Sequence, residues 1–166
     1  MLNLTPCDIV LVDGSGFISK AIEKVEYGLN PAPREYSHVA GYVGHGQLIE
    51  AEGFRRTGYA DLGKYSGYAD VFRCPSMSYD QREEALKLAR WNVGGRYDWK
   101  LLPWEFIRYV FKIALPYREP PKARICSSLW AVGIYREVGI DLCPGIRYPT
   151  PKDVSESKLL IKVGSL

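Results

Sequence analysis

The feature that most constrains this chain is a pair of strand-like runs, Ser37 to Val43 and Gln47 to Glu52, separated by Gly44-His45-Gly46. A short glycine-flanked segment between two such runs is a hairpin signal, and a hairpin commits the chain to antiparallel pairing. Side chains alternate between the two faces of a strand. With a three-residue turn, Val43 faces Gln47, Tyr42 faces Leu48 and Ala40 faces Glu50. His38, Ala40, Tyr42, Leu48, Glu50 and Glu52 then share one face. Glu50 lies on the diagonal from His38, within reach of a long side chain. The parity depends on register, because a turn of even length puts Glu50 on the opposite face.

Other segments fit around this hairpin. Asp8 to Val12 reads as a buried strand ending at Asp13-Gly14. Ser15 caps a helix whose apolar face is Ile18, Ala21, Ile22 and Val25, stopped by Gly28. Asn30 to Arg34 is a loop. Gly53 to Gly67 reads as a polar, glycine-rich loop, and Tyr68 to Arg73 as a strand. Ser78 with Gln81 forms a capping box for a helix over Tyr79 to Asn92, ended by Gly94-Gly95. Pro103 opens a largely apolar helix, Trp104 to Leu115, followed by a Pro116 to Pro121 linker. Ile125 to Val138 reads as a helix closed by Gly139. Leu159 to Val163 reads as a closing strand. Strands and helices mix without strict alternation, which predicts an α+β fold with an antiparallel sheet packed against helices.

The 166 residues suit one domain spanning 1–166, large enough to bury a core without disulfides or a structural metal. A composition of 46% hydrophobic and 25% charged residues excludes a disordered chain. The net charge of +3, from 22 basic and 19 acidic residues, is too mild and too scattered to point to nucleic acid. No apolar run approaches the roughly 18 residues that a membrane-spanning helix needs. The four cysteines, Cys7, Cys74, Cys126 and Cys143, are far apart and lack zinc-type spacing, so no metal is expected and free thiols are. The segment from Met1 to Val12 lacks the form of a signal peptide. The expected compartment is therefore the cytoplasm, unless other machinery delivers the protein.

Candidate chemistry gathers on few residues. The only histidines are His38 and His45, and His45 sits at the hairpin tip between two glycines. On the His38 face a carboxylate orients the imidazole and supports its charged form. Glu50 and Glu52 have the same parity, so geometry alone does not choose between them. Glu50 stands in an apolar context, Leu48-Ile49-Glu50-Ala51, where a carboxylate needs a partner. Cys126, in Arg124-Ile-Cys-Ser-Ser-Leu-Trp130, falls in the first turn of a predicted helix. The positive end of the helix dipole and a nearby imidazolium both favour a thiolate there. Cys7, Cys74 and Cys143 have no such context.

Taken in order, these segments resemble the permuted NlpC/P60 proteins of the papain-like superfamily, specifically the YiiX/YaeF-like group. Cys7-Asp-Ile-Val-Leu-Val12 resembles the family's first strand, where Gly usually precedes Asp. Tyr36-Ser-His-Val-Ala-Gly-Tyr-Val-Gly44 resembles its Ser-His-Val segment, which carries the histidine. Leu48-Ile-Glu-Ala51 resembles the segment with the polar third residue. Ile125-Cys-Ser-Ser-Leu-Trp130 resembles the nucleophile segment, with Ser128 where Glu is common. Thr150-Pro-Lys-Asp-Val-Ser-Glu-Ser157 resembles the closing Thr-Pro-x-Asp-Leu pattern. The order His38, Glu50, Cys126 is the permuted one.

The resemblance implies a permuted papain-like fold and a thiol hydrolase acting on an amide or peptide-like bond without a cofactor. Cys126 is then the nucleophile, His38 the general base and Glu50 the residue that orients it. Tyr36 and Tyr97 become candidates for substrate binding. Peptidoglycan-type peptides or similar amides are the implied substrates, and a phage product carried to the cell wall would fit a chain without a leader. Lipid acyltransferases and thioesterases share the permuted arrangement, with Trp104 to Leu115 as a lipid-accepting groove. An inactive binding module is the third alternative.

Overall fold

The computed structural model describes residues 2–13, 36–53, 55–97 and 123–166. The expected helix after Ser15, the Asn30 to Arg34 loop, the Trp104 to Leu115 helix and the Pro116 to Pro121 linker lie outside the described residues.

Among the described residues, six strands form one antiparallel sheet. β1 is Ile9–Asp13, β2 Tyr36–Gly44, β3 Gln47–Glu50, β4 Gly58–Asp61, β5 Ala69–Arg73 and β8 Ile161–Ser165. Their spatial order is β4-β3-β2-β1-β5-β8. β1 is central and paired on both sides, to β2 and to β5. Its run Ile-Val-Leu-Val is continuously apolar because both of its faces are covered. Ile9 and Leu11 join one core, with Val39, Val43, Ile49 and the helical residues Leu129, Trp130, Ile134 and Tyr135. Val10 and Val12 join a second core, with Ala40, Leu48, Tyr65, Ala69 and Val71. Leu2, Leu4, Leu62, Val163 and Leu166 cover that second face. β6 (Arg96–Tyr97) and β7 (Ala123–Arg124) form a separate parallel pair that the sequence reading does not anticipate.

The helices follow their end signals. α1, Tyr79–Trp91, begins with the expected Ser78–Gln81 capping box. α2, Cys126–Trp130, continues through a π turn, Ala131–Tyr135, and a 3-10 turn, Arg136–Val138, into Gly139. The expected helix over Ile125 to Val138 is thus present but not regular. Gly139 closes it with a left-handed φ of 83°. α3, Pro151–Ser155, is a single short helix fixed by a Thr150–Asp153 capping box with proline in its first turn.

Three further expectations are corrected. The Gly53 to Gly67 segment is not only loop: it holds β4 and a 3-10 turn, Leu62–Tyr65. The closing strand is Ile161–Ser165 rather than Leu159 to Val163. The hairpin turn has two residues, not three, because Gly44 pairs with Gln47. His45 and Gly46 both have positive φ, 52° and 72°, as a tight hairpin turn requires. An even turn alone reverses the parity, but a bulge between Tyr42 and Gly44 reverses it again. Ala40 therefore still faces Glu50 and Tyr42 still faces Leu48.

Candidate active site

The hairpin brings His38 and Glu50 together as the alternation predicts. His38 Nε2 lies 2.8 Å from Glu50 Oε2. The structure resolves the choice between the two glutamates. Glu50 is buried and faces the imidazole, whereas β3 ends at Glu50 and Glu52 lies beyond it, paired with Lys64 and Arg55.

Cys126 is the first residue of α2, preceded by Ile125 in extended conformation. The segment is held in place by its own sequence. Trp130, one turn later, is fully buried and lies on Gly41 of β2, where a side chain would collide with its ring. Its indole N–H donates to the Ile49 carbonyl at 2.8 Å. Ser127, also fully buried, donates to the Pro149 carbonyl at 2.6 Å. The Cys126 end of α2 is therefore anchored to β2 and β3, the strands that carry His38 and Glu50.

The electrostatics couple the three residues. Burial by itself raises the Cys126 thiol, but the His38 charge, a hydrogen bond with His38 and the backbone N–H groups of Val39 and Ser127 hold it below its ordinary value. Burial by itself lowers His38, yet Cys126 and then Glu50 push it up to about 10. These charges together favour a thiolate–imidazolium pair. Glu50 is raised by burial, but His38, Lys64 and Tyr65 together bring it down to about 2. Cys7 and Cys143 go the other way, each pushed up to about 12 by burial.

Lys64 and Tyr65, absent from the sequence reading, complete the site. Lys64 Nζ donates to Glu50 Oε1 at 2.7 Å and to Glu52 Oε2 at 3.3 Å. Tyr65 Oη donates to Glu50 Oε2 at 2.5 Å, and its ring lies 5.9 Å from the His38 ring. The available signal was the apolar-polar alternation within Gly58-Tyr-Ala-Asp61-Leu62, which allows a third strand beside β3. Glycine-rich surroundings mask it.

The two tyrosine candidates fare differently. Tyr36 begins β2, two residues before His38, but its hydroxyl donates to Asp70 at 2.6 Å and its ring packs edge-on against Phe72. Tyr97 ends β6, and its side chain lies outside the described structure. Cys7 adopts a left-handed φ of 71°, a conformation that glycine takes most easily. Among the described residues no helix is long and apolar enough to cross a membrane, and no group of three or more His, Cys, Asp or Glu side chains is arranged to hold a metal ion.

No family model matches the chain, and no curated protein does. A solved structure does: the metalloprotein yiiX from Escherichia coli O157:H7, DUF1105, with a TM-score of 0.57 at 17% identity. The match covers 98% of this chain and 97% of that one. The chain therefore has an α+β architecture similar to that of yiiX, a six-stranded antiparallel sheet with helices, among the described residues.

Proposed function

We propose that this protein is a thiol hydrolase of the permuted NlpC/P60, YiiX/YaeF-like type, cleaving an amide or peptide-like bond. The observation that carries the reading is the His38 imidazole, bonded to Glu50 through Nε2 at 2.8 Å and electrostatically coupled to Cys126 at the start of α2. The Cys126 thiolate attacks the carbonyl carbon, forming a C–S bond and a tetrahedral oxyanion. The Cys126 backbone N–H is one donor to that oxygen. His38 gives its proton to the leaving nitrogen as the C–N bond breaks, leaving a thioester. Neutral His38 then takes a proton from water, hydroxide adds to the thioester carbon, and the C–S bond breaks to return the thiolate. Glu50 keeps the imidazole oriented and supports its positive charge. Peptidoglycan-type peptides or similar amides are the proposed substrates.

The yiiX protein is described as a metalloprotein. The residues here do not fit a metal at this site. Both Glu50 oxygens already accept hydrogen bonds, from Lys64 on one and from Tyr65 and His38 on the other, and Lys64 brings the positive charge a cation would supply. No step is assigned to a metal.

The test is the rate of iodoacetamide alkylation against pH, with the modified cysteine mapped by mass spectrometry. A pre-formed thiolate at pH 6 makes Cys126 at least about tenfold faster than an ordinary thiol, and His38→Ala removes that advantage. Incubation with peptide or amide substrates leaves an acyl mass on Cys126, and Cys126→Ala abolishes turnover. Alkylation of Cys126 no faster than that of Cys143, or turnover that survives Cys126→Ala, refutes the assignment.

A further inference from the structure

We infer that Lys64 and Tyr65 are positioning residues, a two-donor clamp that holds the Glu50 carboxylate in the one orientation that meets His38. The inference rests on the reading of Cys126 as a nucleophile supported by His38 and Glu50. A buried carboxylate with a single imidazole partner leaves one oxygen unsatisfied and remains free to turn about its side chain. Here neither oxygen is left over: Oε1 accepts from Lys64 and Oε2 from both Tyr65 and His38.

The fold delivers the clamp deliberately to this end of the sheet. β4 pairs with β3 so that Gly58 faces Glu50 and Asp61 faces Gln47. The chain then turns back through Leu62–Tyr65, a 3-10 turn whose first residues are fixed by Asp61 Oδ1 accepting from the Gly63 N–H at 2.7 Å. Two consecutive side chains thereby reach one carboxylate. Tyr65 is buried in the second core and walls the imidazole as well as bonding Glu50. Lys64 is partly exposed, bridges Glu50 and Glu52, and stands 5.0 Å over the Tyr65 ring. Among the described residues, the charged or titratable groups around Glu50 are His38 from β2, Lys64 and Tyr65 from the 3-10 turn, Glu52 beyond β3 and, through His38, Cys126 from α2.

Donors to the ionised form lower a carboxyl pKa, so removing them raises it. A Glu50 that takes a proton no longer supports the imidazolium. The experiment follows the Glu50 side-chain carboxyl by carbon-13 NMR against pH in the full chain, alongside Cys126 alkylation. Tyr65→Phe and Lys64→Met each move the Glu50 midpoint up by about one pH unit, the equivalent of one charged hydrogen bond. Lys64→Arg restores it. The double variant loses Cys126 alkylation at the same pH at which Glu50 takes its proton. A midpoint unmoved in the double variant overturns the clamp while leaving the nucleophile intact. A midpoint that moves without Cys126 following also overturns it, because the two residues then serve only local structure. If Cys126 in the unaltered protein is as inert as Cys143, the nucleophile reading falls first and the clamp with it, whatever Glu50 does.

Discussion

Replacing Gly41 with alanine tests how the site is held together. The new methyl group would stand against three carbons of the Trp130 ring, far inside the roughly 3.5–4.0 Å at which carbon atoms pack. Neither partner yields easily. Gly41 is mid-strand, paired to Ile9 on one side and Ile49 on the other, and Trp130 is fully buried. Overpacking of this kind costs about 1–3 kcal/mol. If the ring retreats, its N–H leaves the Ile49 carbonyl, and a buried unsatisfied donor adds about 1–3 kcal/mol. The sum is about 4 kcal/mol, or about 8–16 °C in Tm for a protein of this size. Urea unfolding of Gly41→Ala, Trp130→Phe and the double variant measures it. A smaller ring leaves room for the methyl group, so Gly41→Ala costs about 1–2 kcal/mol less in the Trp130→Phe background. Cys126 alkylation falls with stability, since Trp130 sits one turn from the thiol. A Gly41→Ala cost under about 1 kcal/mol, or two substitutions that simply add, refutes the argument that this contact anchors α2 to the sheet.

Two further substitutions probe the buried charges. Glu50 is held at about 2 against an ordinary 4.5, so its contribution to stability is present above pH 4.5 and is lost as pH falls towards 2. Glu50→Gln therefore destabilises by about 3 kcal/mol at pH 6 and by progressively less below pH 4.5, measured by denaturant melts across pH; a pH-independent difference contradicts this. Asp70 is fully buried and accepts from Tyr36 at 2.6 Å, Ser165 at 2.6 Å and Lys162 at 2.7 Å. Asp70→Asn keeps the shape but loses the charge that binds β8 to the sheet, so it costs about 3 kcal/mol and speeds hydrogen exchange first in Ile161–Ser165; uniform exchange across the sheet contradicts it.

What is legible in the sequence is the part governed by short-range rules. Period-two alternation puts His38 and Glu50 on one face, diagonal to each other, without choosing Glu50 over Glu52, and the capping box at Ser78 marks the start of α1. The turn length is misjudged and the parity survives, because a bulge at Val43 offsets the even turn. Position 126 is legible as a helix start from local context. Lys64 and Tyr65 are not legible, because their role depends on β4 pairing beside β3, a contact between segments whose glycines and arginines read as loop. The π turn is hidden for a related reason. Ala131 to Tyr135 has no feature that distinguishes it from a regular helix, and its geometry is set by what surrounds it.

That π turn has a consequence for how one helix serves two neighbours. An α-helix advances about 100° per residue, and a π turn takes up one residue more than the regular repeat. The residues beyond it are therefore rotated by about that angle relative to Cys126 and Trp130. The first segment bears on β2, and the later turns bear on α1. Tyr135, at the end of the wide turn, reaches the Cys7 carbonyl at the entrance to β1 with a 2.6 Å hydrogen bond. One surplus residue thus turns the later part of the helix to a different face from the first. The thiol end is set against the hairpin while the far end is bolted to different parts of the scaffold, so neither attachment dictates the bearing of the other.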